Sequence, residues 1–356
     1  MNKSNNRINI AYFISSHGFG HAARATAVMQ YLSSSIDVTF DVYTAVPEWF
    51  FPLENINYKY LATDTEITQT SPLSEDLVET KRKLDESIPY DEALIIEVAE
   101  KIKKSSIVIS DISPLGIVAA KKAGVHSVLI ENFTWDWLFE LYFQKKSSSV
   151  KYFEYVNTLV DTHIKTAPYC DDKKYDYIIN PISRIPHRKR DVIRDQTGFS
   201  KNDTILLISM GGVKGEYPFI EKLLTYPQYK FIVMGVGKKE FQENNILLLP
   251  QNHRYYHPDL IEASDAAIYK GGYSTISECY NAGIPSGVIY RELSPESAPL
   301  KRFVDNNMSS CTIKNSDWEN GNWLKQLPQI LNLKRVSVET PNGSIRVSEI
   351  IQELTL

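Results

Sequence analysis

The sequence predicts an α/β protein built of two parallel-sheet domains facing a cleft, and three observations predict it. Short apolar runs alternate with amphipathic stretches along the 356 residues. Two of those runs, over 8–14 and 266–269, lead straight into glycine-containing turns that open a helix. A proline-punctuated basic stretch near the middle has no apolar period and splits the alternation in two.

In the first half, β-rich runs bounded by polar or glycine signals predict strands over 8–14, 38–43, 107–110 and 128–130. Helical patterns over 22–32, 91–104 and 115–123 lie between them. Strand and helix in alternation imply a parallel sheet covered on both faces. This N-terminal domain is placed at 1–182. The run Ser183-Arg184-Ile185-Pro186-His187-Arg188-Lys189-Arg190 opens an interdomain crossing over 183–200, expected to be a solvated linker. A second alternation follows in a C-terminal domain over 201–340, with strands over 204–210, 231–234, 246–249, 266–269 and 286–290. The last segment, 341–356, is expected to be a helix packing back on the N-terminal domain. Both halves read as Rossmann-like sheets, which bind ligands at the carboxyl ends of their strands. The loops between Leu61 and Asp91 carry no recognisable chemistry.

Composition narrows the class. Hydrophobic residues at 43% and charged residues at 23% are the balance of a globular chain. A formal net charge of −4 gives no reason to expect nucleic acid or an anionic membrane as the main partner. Cys170, Cys279 and Cys311 have neither disulfide nor metal-ligand spacing, so they read as free thiols of a reducing compartment. No run approaches the roughly 20 apolar residues of a membrane span, and the apolar run over 8–14 is too short for a secretory signal. A cytoplasmic location is expected; peripheral membrane contact and oligomeric state stay open.

The turn after the first strand reads Ser15-Ser16-His17-Gly18-Phe19-Gly20-His21-Ala22-Ala23-Arg24. Gly18 and Gly20 allow a tight turn and close backbone approach to a ligand, and the following helix presents its positive end there. A third glycine and the acidic residue of a dinucleotide site are both missing, which argues against a nicotinamide cofactor. His21 opens the helix, and an imidazole is suited to take a proton from a hydroxyl near neutral pH. His17 fits a structural role equally well.

The second constellation reads Lys270-Gly271-Gly272-Tyr273-Ser274-Thr275-Ile276-Ser277-Glu278, then Ala282-Gly283-Ile284-Pro285. A buried strand runs into a Gly-Gly turn and a helix with Ser274 and Thr275 in its first turn. Backbone N–H groups and these hydroxyls form a diphosphate cradle. Glu278, one turn further, is placed to accept two hydrogen bonds from a ribose diol.

This run resembles the donor-nucleotide signature of GT-B glycosyltransferases and is similar to the family-28-like peptidoglycan N-acetylglucosaminyltransferase. The match is closer to the glycosyltransferase-like N-terminal domain of plant L-arabinokinases and its stand-alone bacterial relatives. It extends over His17 to Arg24, Ser110-Asp111-Ile112-Ser113-Pro114, Asn132-Phe133-Thr134-Trp135-Asp136-Trp137, Arg291 to Glu296 and Pro341-Asn342-Gly343, in the same order. The resemblance implies a GT-B fold with Gly272, Ser274 and Thr275 on the donor diphosphate and Glu278 on the ribose. It places Glu296 on the sugar hydroxyls, Gly211 and Gly212 on the far side of the phosphates, and counts Lys270, Gly271 and Arg291 in the donor site. His21 and Asp111 fall on the acceptor side, and 132–137 would line the cleft. Ser274 stands where the arabinokinase-type domain has glycine.

A glycosyltransferase using a nucleotide-diphosphate sugar, a UDP-sugar first among them, and an unidentified acceptor is therefore expected. There is no DxD motif, so Lys270 and the helix start would stabilise the leaving diphosphate without a metal or cofactor. His21 would activate the acceptor for inverting attack. A nucleotide-sugar hydrolase, a nucleotide-sugar 2-epimerase and a non-catalytic nucleotide-sugar-binding protein are the alternatives.

Overall fold

A computed structural model describes residues 7–144, 146–173, 175–212 and 217–355. Its strands are β1 (Ile8–Ile14), β2 (Val38–Thr44), β3 (Ile56–Tyr60), β4 (Gln69–Ser71), β5 (Ser74–Glu75), β6 (Ile107–Asp111), β7 (Ser127–Glu131) and β8 (Thr162–Thr166). They continue with β9 (Tyr177–Ile179), β10 (Thr204–Ser209), β11 (Tyr229–Met234), β12 (Phe241–Glu243), β13 (Ile246–Leu249), β14 (Ala266–Lys270), β15 (Ser286–Ile289) and β16 (Ser310–Ile313). The chain forms two compact units. Unit 1 takes the chain to Thr68, Asp76–Ser183, and the chain from Pro341 onward; unit 2 takes Gln69–Glu75 and Arg184–Thr340.

The sheet of unit 1 has the order β3-β2-β1-β6-β7-β8-β9, parallel throughout. Alternate side chains of β1 enter different cores. Ile10, Tyr12 and Ile14 meet Val28 and Leu32 of the helix Gly20–Ser35 and Val347 and Ile350 of the helix Gly343–Thr355. Ala11 and Phe13 meet Leu115 and Ala119 of the helix Pro114–Ala123 on the other face. A strand buried on both faces has no polar positions to alternate, so it reads as an unbroken apolar run. The last helix is tied down at its start. Asn342 Nδ2 donates to the Ser183 carbonyl at 2.7 Å, and its Oδ1 accepts from Ser344 N at 3.0 Å. A Cβ on Gly343 would lie 2.1 Å from the Asn180 carbonyl oxygen, so only glycine fits.

Unit 2 has the order β12-β13-β11-β10-β14-β15-β16, parallel except for the antiparallel edge pair β12 and β13. Ile205 and Leu207 of β10 enter one core, Leu206 and Ile208 the other. The hairpin β4–β5 joins unit 2 although its sequence lies within the first half of the chain, and Leu73 at its tip packs against the core that holds Leu206. Its base is closed by Asp76 N donating to the Thr68 carbonyl at 2.8 Å. Strands of three and two residues are too short to show a period, so nothing in 61–91 announced the hairpin.

The basic stretch after Ser183 is not a solvated linker. The helix Arg190–Gln196 runs through it, and Arg184 and Arg194 are buried. Arg194 donates to the Ala263 carbonyl at 2.9 Å and to Asp265 Oδ2 at 2.8 Å. Arginines look alike in sequence whether their partner is water or a carboxylate 71 residues away. Among the described residues no helix is long and apolar enough to cross a membrane.

Candidate functional site

In unit 1 the chain moves outward from β1 through β2 to β3 and returns on the other side of β1 at β6. The carboxyl ends of β1 and β6 therefore mark a topological switch point, where open α/β sheets bind ligands. Ile14 pairs in register with Asp111 there. The turn after β1 reverses through Gly18 at φ 67, a left-handed value that favours glycine, and delivers His21 in the first turn of the helix Gly20–Ser35.

His21 Nδ1 lies 2.9 Å from Asp111 Oδ1. Arg24, one helical turn on, donates through Nε to Asp111 Oδ2 at 2.8 Å and through Nη2 to Oδ1 at 2.6 Å. Its Nη1 donates to Asn132 Oδ1 at 2.7 Å. Arg24 and Asp111 are buried almost completely. Burial pushes the Asp111 pKa up, but the Arg24 charge and the hydrogen bonds from Arg24 and His21 outweigh it and hold the carboxyl below its ordinary value. Arg24 Nη2 also lies 3.2 Å from His21 Nδ1; in the neutral imidazole whose Nδ1–H donates to an ionised Asp111, Nε2 keeps the lone pair that a general base needs. Ile112, immediately after Asp111, sits at φ 46, a strained value for a β-branched residue.

The segment 132–137 is mostly buried. Asn132 is spent on Arg24, and Trp135 packs against Phe139 while donating to the Ile112 carbonyl at 3.0 Å. Only Trp137 is partly exposed. Sequence reading also passed over Asp64, on the loop after β3. Burial, with the charges of Glu66 and Asp111 added, pushes its pKa up to about 7. Glu66, an exposed residue nearby, is hydrogen-bonded by Ser16. The site thus holds titratable carboxyls beside the imidazole.

Unit 2 repeats the logic. From β10 the chain goes out to β11 and β13 and crosses back to β14, on the far side of β10. Gly211, at φ 79, turns the chain just beyond β10; Lys270 ends β14, and a Cβ on Gly211 would lie 3.5 Å from its Nζ. Gly271 N donates to the Ile289 carbonyl at 2.7 Å, and a Cβ there would stand 2.6 Å from the Tyr290 ring. Gly272 is the cap of the helix Tyr273–Ala282, whose first backbone bond runs from Ile276 N to the Gly272 carbonyl at 3.0 Å. Ser274 and Thr275 occupy the first turn, which holds no acidic side chain. Gly212 follows Gly211, its carbonyl accepting from Gln251 at 2.6 Å.

Glu278 is more engaged than the sequence implied. Arg184 Nε donates to its Oε1 at 2.7 Å, and His257 Nδ1 lies 2.6 Å from Oε2. Burial raises its pKa, but the charges and hydrogen bonds of Arg184 and His257 prevail and lower it. Each carboxylate oxygen has a second lone pair, so the two partners orient the group without exhausting it. Arg291 Nη2 donates to Glu296 Oε2 at 2.9 Å, and its Nη1 lies 3.0 Å from Glu75 Oε1 of the hairpin.

Lys270 is pushed down to about 7, first by burial and then by Arg291, against the pull of Glu296 and Glu75. Between about 7 and the ordinary 10.5 the unfolded chain holds a proton that the folded amine has lost, so stability rises with pH across that window by up to about 1.4 kcal/mol per unit. Lys270→Met should therefore be more stable than the wild type at pH 7, with the gain shrinking toward pH 10. Urea denaturation at pH 7, 8.5 and 10 checks this, and parallel curves would show that the amine is not discharged.

No protein-family model matches the chain. A curated relative, L-arabinokinase of Arabidopsis thaliana, is 24% identical over 99% of this chain, and the chain spans about a third (35%) of that protein's length. MurG of Acinetobacter baumannii is similar in structure, with a TM-score of 0.57 at 12% identity over 98% of this chain and 99% of that one. The calicheamicin glycosyltransferase CalG4 reaches 0.65 at 12% identity, with 98% of each chain covered. UGT71G1 of Medicago truncatula, solved with UDP-glucose, reaches 0.59 at 14% identity over 100% of both chains. Identities this low establish the fold, and the fold is the α/β GT-B fold of glycosyltransferases.

Proposed function

We propose that the chain transfers a sugar from a nucleotide-diphosphate sugar, a UDP-sugar first among the candidates, to an acceptor hydroxyl, with inversion and without a metal. The observation that carries this reading is the switch point of unit 2. There a half-buried lysine, two glycine turns and a helix start stand together on a GT-B scaffold.

In this reading Gly211, Gly212, Gly271, Gly272, Ser274 and Thr275 hold the diphosphate, and Glu278, steadied by Arg184 and His257, takes the ribose. The anomeric carbon–oxygen bond to the diphosphate breaks as a bond to the acceptor oxygen forms. Developing negative charge on the leaving group falls to Lys270 and the helix start. The acceptor's proton passes to His21 Nε2, and Asp111 stabilises the imidazolium that results. A water in place of the acceptor would turn the same dyad to hydrolysis, so product analysis without acceptor separates the two: free sugar at enzymatic rate supports the hydrolase. The cysteines form no disulfide, which supports a reducing compartment, the cytoplasm.

Thermal unfolding against a panel of nucleotides and nucleotide sugars is the direct test. A ligand at 100 times its dissociation constant adds about 2.7 kcal/mol, visible as a rise in Tm of several degrees. The reading fails if no member of the panel moves the transition.

A further inference from the structure

Arg291 lies just past β15, and β15 is paired with β14, whose end carries Lys270 and the two glycines. Its side chain is 8% exposed and stands between two carboxylates: Glu296, hydrogen-bonded at 2.9 Å, and Glu75, an ion pair at 3.0 Å whose angle falls short of a hydrogen bond. Glu75 is itself buried, with 1% of its side chain exposed, and it arrives on the hairpin β4–β5. The hairpin is anchored in unit 2 by Leu73. One guanidinium is thus shared by two carboxylates beside the cradle, and Lys270 close by is only partly charged near neutral pH. Glu296 Oε1 accepts no hydrogen bond from the described residues.

We infer that Glu75 is a donor-specificity residue: by occupying Arg291 together with Glu296 it reserves this corner for a neutral sugar and excludes uronic-acid donors. The inference rests on the donor site proposed above. A carboxylate accepts hydrogen bonds and a neutral sugar offers hydroxyl donors, so the two match. A uronate would bring a third carboxylate to a corner where, among the described residues, the Arg291 guanidinium is already divided between two. Like charges brought that close repel when partly desolvated.

The test compares pairs that share a base, so that base preference cancels: UDP-glucose with UDP-glucuronate, UDP-galactose with UDP-galacturonate, and GDP-mannose with GDP-mannuronate, each by titration calorimetry. The wild type should bind the neutral member of any pair at least about tenfold more tightly, and Glu75→Gln should narrow that ratio at least about tenfold by freeing one side of Arg291. Glu75→Asp, which keeps the charge, should preserve the preference and serves if the glutamine variant fails to fold. Equal wild-type affinity for the two members of a pair, or an unchanged ratio in Glu75→Gln, overturns the assignment of Glu75 while leaving the donor site standing. Binding of no nucleotide sugar removes the donor site, and this inference with it.

Discussion

Replacing His21 with alanine is expected to lower turnover about 10²- to 10⁴-fold, the usual contribution of a positioned general base, while donor-nucleotide affinity stays unchanged. The imidazole belongs to unit 1 and the cradle to unit 2, so the two parameters should separate cleanly. Turnover with saturating donor and calorimetric binding of the nucleotide measure them. A rate within a few-fold of the wild type would remove His21 from the mechanism. The pH profile alone does not identify the base, because Asp64 is pushed up to about 7 by burial. Asp64→Asn resolves it: the acid limb should persist in that variant if the limb belongs to His21.

Arg24→Met should give the largest loss of stability. Asp111 is fully buried, and Arg24 supplies two of its hydrogen bonds and its only neighbouring guanidinium among the described residues. Removing one partner of a buried pair typically costs about 3–5 kcal/mol, because the remaining charge has no water to return to. The sign with pH follows from linkage. In the wild type the carboxyl is held below its ordinary pKa, so its stabilising contribution is present above the unfolded value near 3.9 and is lost as pH falls through the folded one. In the variant burial is opposed only by His21, so the folded pKa rises relative to the wild type. The deficit should therefore be full at pH 7.5 and shrink toward pH 4, as urea denaturation at both values can show. A variant as stable as the wild type at pH 7.5 would mean that Asp111 does not depend on Arg24. Arg24→Lys should recover part of the loss, since a lysine supplies the charge without the two-pronged geometry.

Both turns that carry the proposed chemistry were legible before any coordinates, for a local reason. A strand buried on two faces is an uninterrupted apolar run, and a helix opened by a glycine turn is written in consecutive residues; β1 with His17 to His21, and β14 with Lys270 to Thr275, are of that kind. Elements without a local mark went unseen. β3 carries only exposed or half-buried side chains, β9 has a single buried one, Ile179, and β4 and β5 are too short to show a period. Asp64 reads in sequence as one more polar loop residue; only its burial distinguishes it.

By itself the sequence determined the two-sheet α/β architecture, the two glycine turns and the residue types that the turns present, because each follows from neighbours along the chain. Tertiary structure alone decided how the charges are shared: Asp111 between His21 and Arg24, Glu278 between Arg184 and His257, Arg291 between Glu75 and Glu296. Those partners are drawn from strand ends, helices and loops as much as 94 residues apart in the two hydrogen-bonded carboxylate sites. Strand order places such ends side by side at a switch point, and a buried charge is stable only with the partner found there.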